Sequence, residues 1–127
     1  IAGNLGNGIA YLDRAGGVAR GNRIESNGMH GVGLQDHAAP NLLFNTIKKN
    51  EQAGVAYLDH AAGNLDDNLI SGNGYYGLCI GATASPSIAS NDVTGNMIAQ
   101  VVRDCPSADP ETGEALPDST CGPGSDR

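Results

Sequence analysis

The sequence predicts an all-β chain wound as a right-handed parallel β-helix, a solenoid of about four and a half coils with three short strands in each. Three observations carry this. In rows of 23, Asn22, Asn45, Asn68 and Asn91 fall in one column, and Asn4, Asn27, Asn50, Asn73 and Asn96 in another. Aliphatic residues recur at the same spacing. The composition, 19 Gly with no Trp and one Phe in 127 residues, leaves only thin aliphatic layers to build a core and demands frequent turns.

Each strand of the coil has its own column. Ile1, Ile24, Ile47, Ile70 and Val93 follow the first asparagine column by two residues. Gly8, Gly31, Gly54 and Gly77 introduce the next, Ile9, Val32, Val55, Leu78 and Val101, and Tyr11, Leu34, Tyr57 and Ile80 lie two residues further on. The third comprises Ala19, Leu42, Leu65 and Ile88, with Ala15, Ala38, Ala61 and Ala84 between. Apolar residues at alternate or isolated positions, separated by Asn, Gly, Ala or Pro, are the pattern of short strands joined by turns. Stacked at the ~4.8 Å spacing of neighbouring strands, the columns become ladders. Isoleucine meets isoleucine inside, and asparagine amides stack at corners where Asn is expected to accept a left-handed backbone. Leucine-rich repeats need a denser leucine pattern, and hexapeptide helices a period of six; neither fits.

The row Asn45-x-Ile47-x-x-Asn50-x-x-x-Gly54-Val55-x-Tyr57-x-Asp59, closing on Asn64-Leu65-x-x-Asn68, resembles the repeat of the pectate-lyase-like superfamily. The pattern returns in residues 23–45 and 69–91, and Ala84-Ser85-Pro86-Ser87-Ile88-Ala89-Ser90-Asn91 is similar to its commonest closing turn and strand. The resemblance covers roughly residues 1–104. It implies the fold and leaves function open, since the superfamily includes polysaccharide lyases, mannuronan C5-epimerases, phage tailspikes, surface proteins and protein-recognition modules.

Charge is uneven. Residues 1–103 hold six Lys or Arg against eight Asp or Glu, whereas residues 104–127 hold one against six. The body has no basic run, which excludes a nucleic-acid surface built on phosphate neutralisation. No apolar stretch approaches the roughly 20 residues of a membrane span. The chain begins at Ile1 without a signal peptide, which carries nothing about localisation. Residues 105–127, with four prolines and most of the acidity, read as an irregular tail. Cys105 and Cys121 bracket it, as a disulfide or as two free thiols, while Cys79 needs only to be small. An uncovered first coil calls for further coils or another chain against it.

Only outward residues and turns can meet a ligand. Asp13, Asp36 and Asp59 form one outward column and Arg14, His37 and His60 the next. Stacked carboxylates repel unless a cation screens them, so the Asp column is a candidate calcium site. Proton abstraction beside a uronate carboxylate needs a base, an acid and a group to neutralise the carboxylate. Tyr57-x-Asp59-His60 resembles the Tyr and Asp-Pro-His elements of mannuronan C5-epimerases, lacking the proline; that likeness implies Asp59 and His60 as catalytic residues and Tyr57 as acid/base. The structural alternative is an Asp that caps the turn through backbone N–H bonds and recurs by duplication. Arg23, Lys48 and Lys49, near Arg20, together with Asp36 and His37, are candidate contacts for an acidic glycan, or else a solvated edge. The expectation is an extracellular, cell-surface or periplasmic segment, carbohydrate-associated, acting as a recognition or structural platform. The alternatives are a uronate lyase or epimerase and a protein-recognition solenoid.

Overall fold

The computed structural model describes residues 1–105; residues 106–127, which include most of the acidic tail and Cys121, lie outside the described residues. In chain order the strands are β1 (Ile9–Tyr11), β2 (Val18–Arg20), β3 (Arg23–Glu25), β4 (Val32–Leu34), β5 (Asn41–Leu43) and β6 (Thr46–Lys48). They continue as β7 (Val55–Tyr57), β8 (Asn64–Asp66), β9 (Leu69–Ser71), β10 (Tyr76–Gly81), β11 (Ser87–Ala89), β12 (Asp92–Thr94) and β13 (Ala99–Cys105). Every third strand pairs in parallel, which gives three sheets, β1-β4-β7-β10-β13, β2-β5-β8-β11 and β3-β6-β9-β12. No helix among the described residues is long and apolar enough to cross a membrane.

Register follows the repeat. Ile24 pairs with Ile47 and Ile47 with Ile70, Leu42 with Leu65, and Val32 with Val55. Because equivalent residues lie over one another, inward columns become continuous apolar rows. Ile24, Ile47, Ile70, Leu34, Tyr57, Leu42, Leu65, Ala38 and Ala61 are all fully buried in one core cluster. Burying such side chains contributes roughly 1.5–3 kcal/mol each for the larger ones, which is how a chain without Trp sustains a core.

The second and third coils turn three corners through a residue with positive φ, whereas the fourth, with Ala82 where they have Asp36 and Asp59, does so at Gly72 and Ser90 only. These corner residues include Asp36 (58°) and Asp59 (54°), Phe44 (55°) and Asp67 (57°), and Ser26 (58°) and Lys49 (56°). At two of the corners the next residue is the ladder asparagine, so the left-handed position falls just before Asn and not on it as the sequence suggests. The reason is directional. The turn residue swings the chain so that the following side chain points inward, where Asn27, Asn45, Asn50, Asn68 and Asn73 are buried. There Asn50 Oδ1 accepts bonds from both the backbone and side-chain N–H groups of Asn27, at 3.2 and 2.9 Å, and Asn73 Oδ1 does the same for Asn50. Both ladders are polarised, each coil donating to the next. In the last coil Gln100 supplies the acceptor, its Oε1 taking bonds from Asn96 N and Nδ2 at 3.0 and 2.8 Å.

The periodic register ends at β13. Ile80 pairs with Arg103 but Gly81 with Cys105, so Asp104 (φ 63°) is an extra residue. That shift brings Cys105 beside Cys79, and the two form a disulfide. The partner of Cys105 is therefore Cys79, not Cys121 as its flanking position suggests. On the outer face of the first sheet the pair joins a second apolar cluster with Ala53, Ala56, Leu58 and Tyr76. The bond closes a sequence separation of 26 residues and ties the last strand to the sheet. The Cys79→Ala/Cys105→Ala double variant is expected to lose about 3 kcal/mol of unfolding free energy through the larger entropy of its unfolded chain. A urea midpoint equal to that of the parent protein would contradict this.

Candidate functional site

The Asp13–Arg14, Asp36–His37 and Asp59–His60 turns stack along one edge of the first sheet. Each is closed locally, Ala15, Ala38 and Ala61 N–H donating to Leu12, Gln35 and Leu58 O at 3.0, 3.1 and 3.0 Å. The carboxylates bind the coils together: Asp36 Oδ2 accepts the Asp13 N–H and Asp59 Oδ2 the Asp36 N–H, both at 3.0 Å. These are structural bonds that recur with the coil. Above them the His37 and His60 rings stack, with centroids 5.0 Å apart and planes 18° apart.

Tyr57 does not join this edge. Its side chain lies inside the tube, fully buried, with no hydrogen-bond partner for its hydroxyl among the described residues. Burial, with the charge of Asp66 adding to it, pushes that hydroxyl above the usual tyrosine range. Asp59 and His60 are thus adjacent in a turn at the surface, whereas the Tyr57 hydroxyl is enclosed in the core.

Among the described residues no three His, Cys, Asp or Glu side chains converge as metal ligands. The carboxylates are spaced coil by coil, and Asp36 and Asp59 each turn an oxygen onto backbone N–H.

Arg20, Arg23, Lys48 and Lys49 lie apart from this edge, along the second and third sheets. Arg23 begins β3 and Lys48 ends β6, opposite Glu25 in register; Lys49 forms the next corner and its carbonyl accepts the Ser26 N–H at 3.1 Å. Arg20 lies over the exposed Phe44 ring, 4.9 Å from its centroid. Arg23 and Lys48 belong to the third sheet and Lys49 to its corner, whereas Asp36 and His37 form a turn that follows the first.

The recess that does form lies on the outer face of β1 and β4. About 60 Å³ is enclosed by Asn7, Ala10, Leu12, Met29, Gly33 and Leu58, with His30 and Gln35. His30 was hidden in the sequence because no other His shares its column. Its only signal is Asn7, 23 residues earlier, which makes the equivalent bond: Asn7 Oδ1 accepts the His30 N–H at 3.0 Å and His30 Nδ1 accepts the Ala53 N–H at 3.2 Å. Burial lowers the imidazole pKa to about 4.

His30 therefore makes stability depend on pH. The unfolded chain binds a proton near pH 6.5 and the folded chain only near 4, so between these values the unfolded state holds more protons. The His30 contribution to stability is fully present above about pH 6.5 and is lost, by on the order of 3 kcal/mol, as pH drops through about 4. Denaturation at pH 7 and pH 4.5, compared with a His30→Gln variant, should show a steeper loss in the parent; equal slopes would remove this role.

The family described as "Right handed beta helix region" matches residues 1–97. The chain belongs to that family. Membership fixes the architecture of this β-helix, and the residues on its outer surface have to carry any function. No curated protein and no solved structure matches it.

Proposed function

We propose that this β-helix is a non-catalytic recognition platform of a carbohydrate-associated extracellular or surface protein, its contact surface being the outer face of the first sheet and the Asp–His turn edge. The observation that carries the reading is the separation of Tyr57 from Asp59 and His60. Proton abstraction and return need groups within hydrogen-bond reach of one substrate carbon, whereas the Tyr57 hydroxyl is enclosed in the core. The edge carries stacked imidazoles, and the neighbouring face carries a recess with apolar walls and amide groups, features that suit contact with a sugar ring. The Cys79–Cys105 bond supports an oxidising compartment.

Incubation with alginate and with pectate tests the enzymatic alternative. Neither unsaturated product nor C5 exchange with deuterium is expected, in the parent or in Asp59→Ala and His60→Ala variants. Turnover that disappears in those variants would overturn the proposal in favour of a lyase or epimerase. Screening on immobilised glycans tests the platform itself, and failure to retain any glycan would end it.

A further inference from the structure

We infer that the recess on the outer face of β1 and β4 is a binding site for a neutral hydroxyl-bearing group, the edge of an uncharged sugar unit, with His30 as a central hydrogen-bond donor. This rests on the platform reading and names the ligand class for it.

The recess exists because of the small residues in one outward column. Ala10 and Gly33 pair in register and leave the floor open, and a Cβ at Gly33 would stand 2.6 Å from Asn7 Nδ2. Leu12, Met29 and Leu58 form apolar walls, and Ala10 and Leu12 are exposed to solvent. The volume of about 60 Å³ exceeds the ~10–15 Å³ that one water occupies. It admits a hydroxymethyl group with a neighbouring hydroxyl, and no whole sugar ring.

The polar groups define the ligand. His30 is only 4 % exposed, and its Nδ1 is occupied as an acceptor of the Ala53 N–H. The proton must then sit on Nε2, the ring nitrogen left to meet a ligand acceptor. Asn7 has its Oδ1 engaged by the His30 N–H, which leaves its amide NH₂ as a donor, and the Gln35 amide can donate or accept. Hydroxyl groups, acceptors and donors at once, match this set. A carboxylate does not: no charged residue among the described ones lines the recess, and desolvating an anion there without a cation is costly.

The test is a titration of the full protein, followed by the His30 imidazole nitrogens and Met29 methyl in NMR, with methyl β-D-glucopyranoside and methyl β-D-galactopyranoside as neutral probes and D-galacturonate as the charged one. At least one neutral probe is expected to shift both signals with millimolar affinity, near −4 kcal/mol for a single sugar unit, and galacturonate to shift neither. Ala10→Leu fills the recess from an exposed position and should weaken the neutral probe at least about tenfold. Gln35→Ala, which opens the rim without filling the floor, should weaken it by about threefold. Unshifted His30 signals with both neutral probes, or equal binding by Ala10→Leu, overturn the site. Galacturonate binding as tightly as the neutral probes overturns the ligand class. Immobilised-glycan retention that survives in Ala10→Leu would sink this site while leaving the platform intact, whereas loss of all retention in the parent protein sinks the platform.

Discussion

Replacing Asn50 by alanine is expected to cost about 4 kcal/mol. The amide of Asn50 sits in the middle of a buried ladder. Its Oδ1 accepts from Asn27 N and Nδ2 at 3.2 and 2.9 Å, and its Nδ2 donates to Ile24 O at 3.3 Å and Asn73 Oδ1 at 3.0 Å. Alanine removes all four bonds at a site where water does not reach. The Asn27 backbone N–H loses its acceptor, and a buried orphan of this kind costs about 1–3 kcal/mol; the other three bonds add roughly 1 kcal/mol each at most. Coils contact only their neighbours, so a break between the second and third divides the tube into pieces too short to hold their cores. The comparison is Asn41→Ala. Asn41 Oδ1 accepts from Asn64 Nδ2 at 2.7 Å on the exposed outside of the second sheet, where water replaces the partner. Its loss should stay within about 0.5 kcal/mol. Urea unfolding of both variants decides the matter, and equal midpoints would mean that the buried ladder is not what holds the coils together.

The coil architecture was legible because one spacing governs every contact. Once Asn27, Asn50 and Asn73 share a column, the pairing of Ile24 with Ile47 and of Leu42 with Leu65 follows, and so does the burial of Tyr57. The surface was less legible, since a repeat reports what duplicates and a site is what departs from duplication. The Asp13, Asp36 and Asp59 column drew attention through its repetition, and repetition there reflects carboxylates bonded between coils. His30 occurs once and its neighbour Asn7 is the only hint of it. The partner of Cys79 was concealed by the irregularity at Ile80 and Gly81, which moves Cys105 out of the column that the period assigns to it. The left-handed corners were misplaced by one residue because Asn was credited with a backbone role. Its side chain already serves the ladder, and Ser26, Lys49 and Phe44 turn the chain before it.

Gly54→Ala should destabilise by about 4 kcal/mol, although it adds one methyl group to a residue that already has ordinary backbone angles. The column of Gly8, Gly31, Gly54 and Gly77 lies where the first sheet meets the inner asparagine ladder. A Cβ on Gly54 would stand 2.5 Å from Ile70 Cγ2, 2.8 Å from Asn73 Nδ2 and 2.8 Å from the Gly77 carbonyl oxygen. Isoleucine could change rotamer, but the amide is fixed by the ladder and the carbonyl belongs to the next coil's backbone. Relief therefore requires the third and fourth coils to separate. Overpacking of a tight core commonly costs 1–3 kcal/mol, and displacing Asn73 adds the loss of its bonds to Asn50 and Asn96. Gly16 is the control. A Cβ there meets nothing closer than the Ala39 carbonyl oxygen at 3.8 Å, so Gly16→Ala should be neutral or stabilise by up to ~1 kcal/mol through reduced freedom of the unfolded chain. Thermal midpoints that fall together in both variants would show that glycine serves this column for its backbone freedom. A fall confined to Gly54→Ala would show that it serves for the absence of a side chain, the condition under which asparagine, isoleucine and the next coil's carbonyl can occupy one corner.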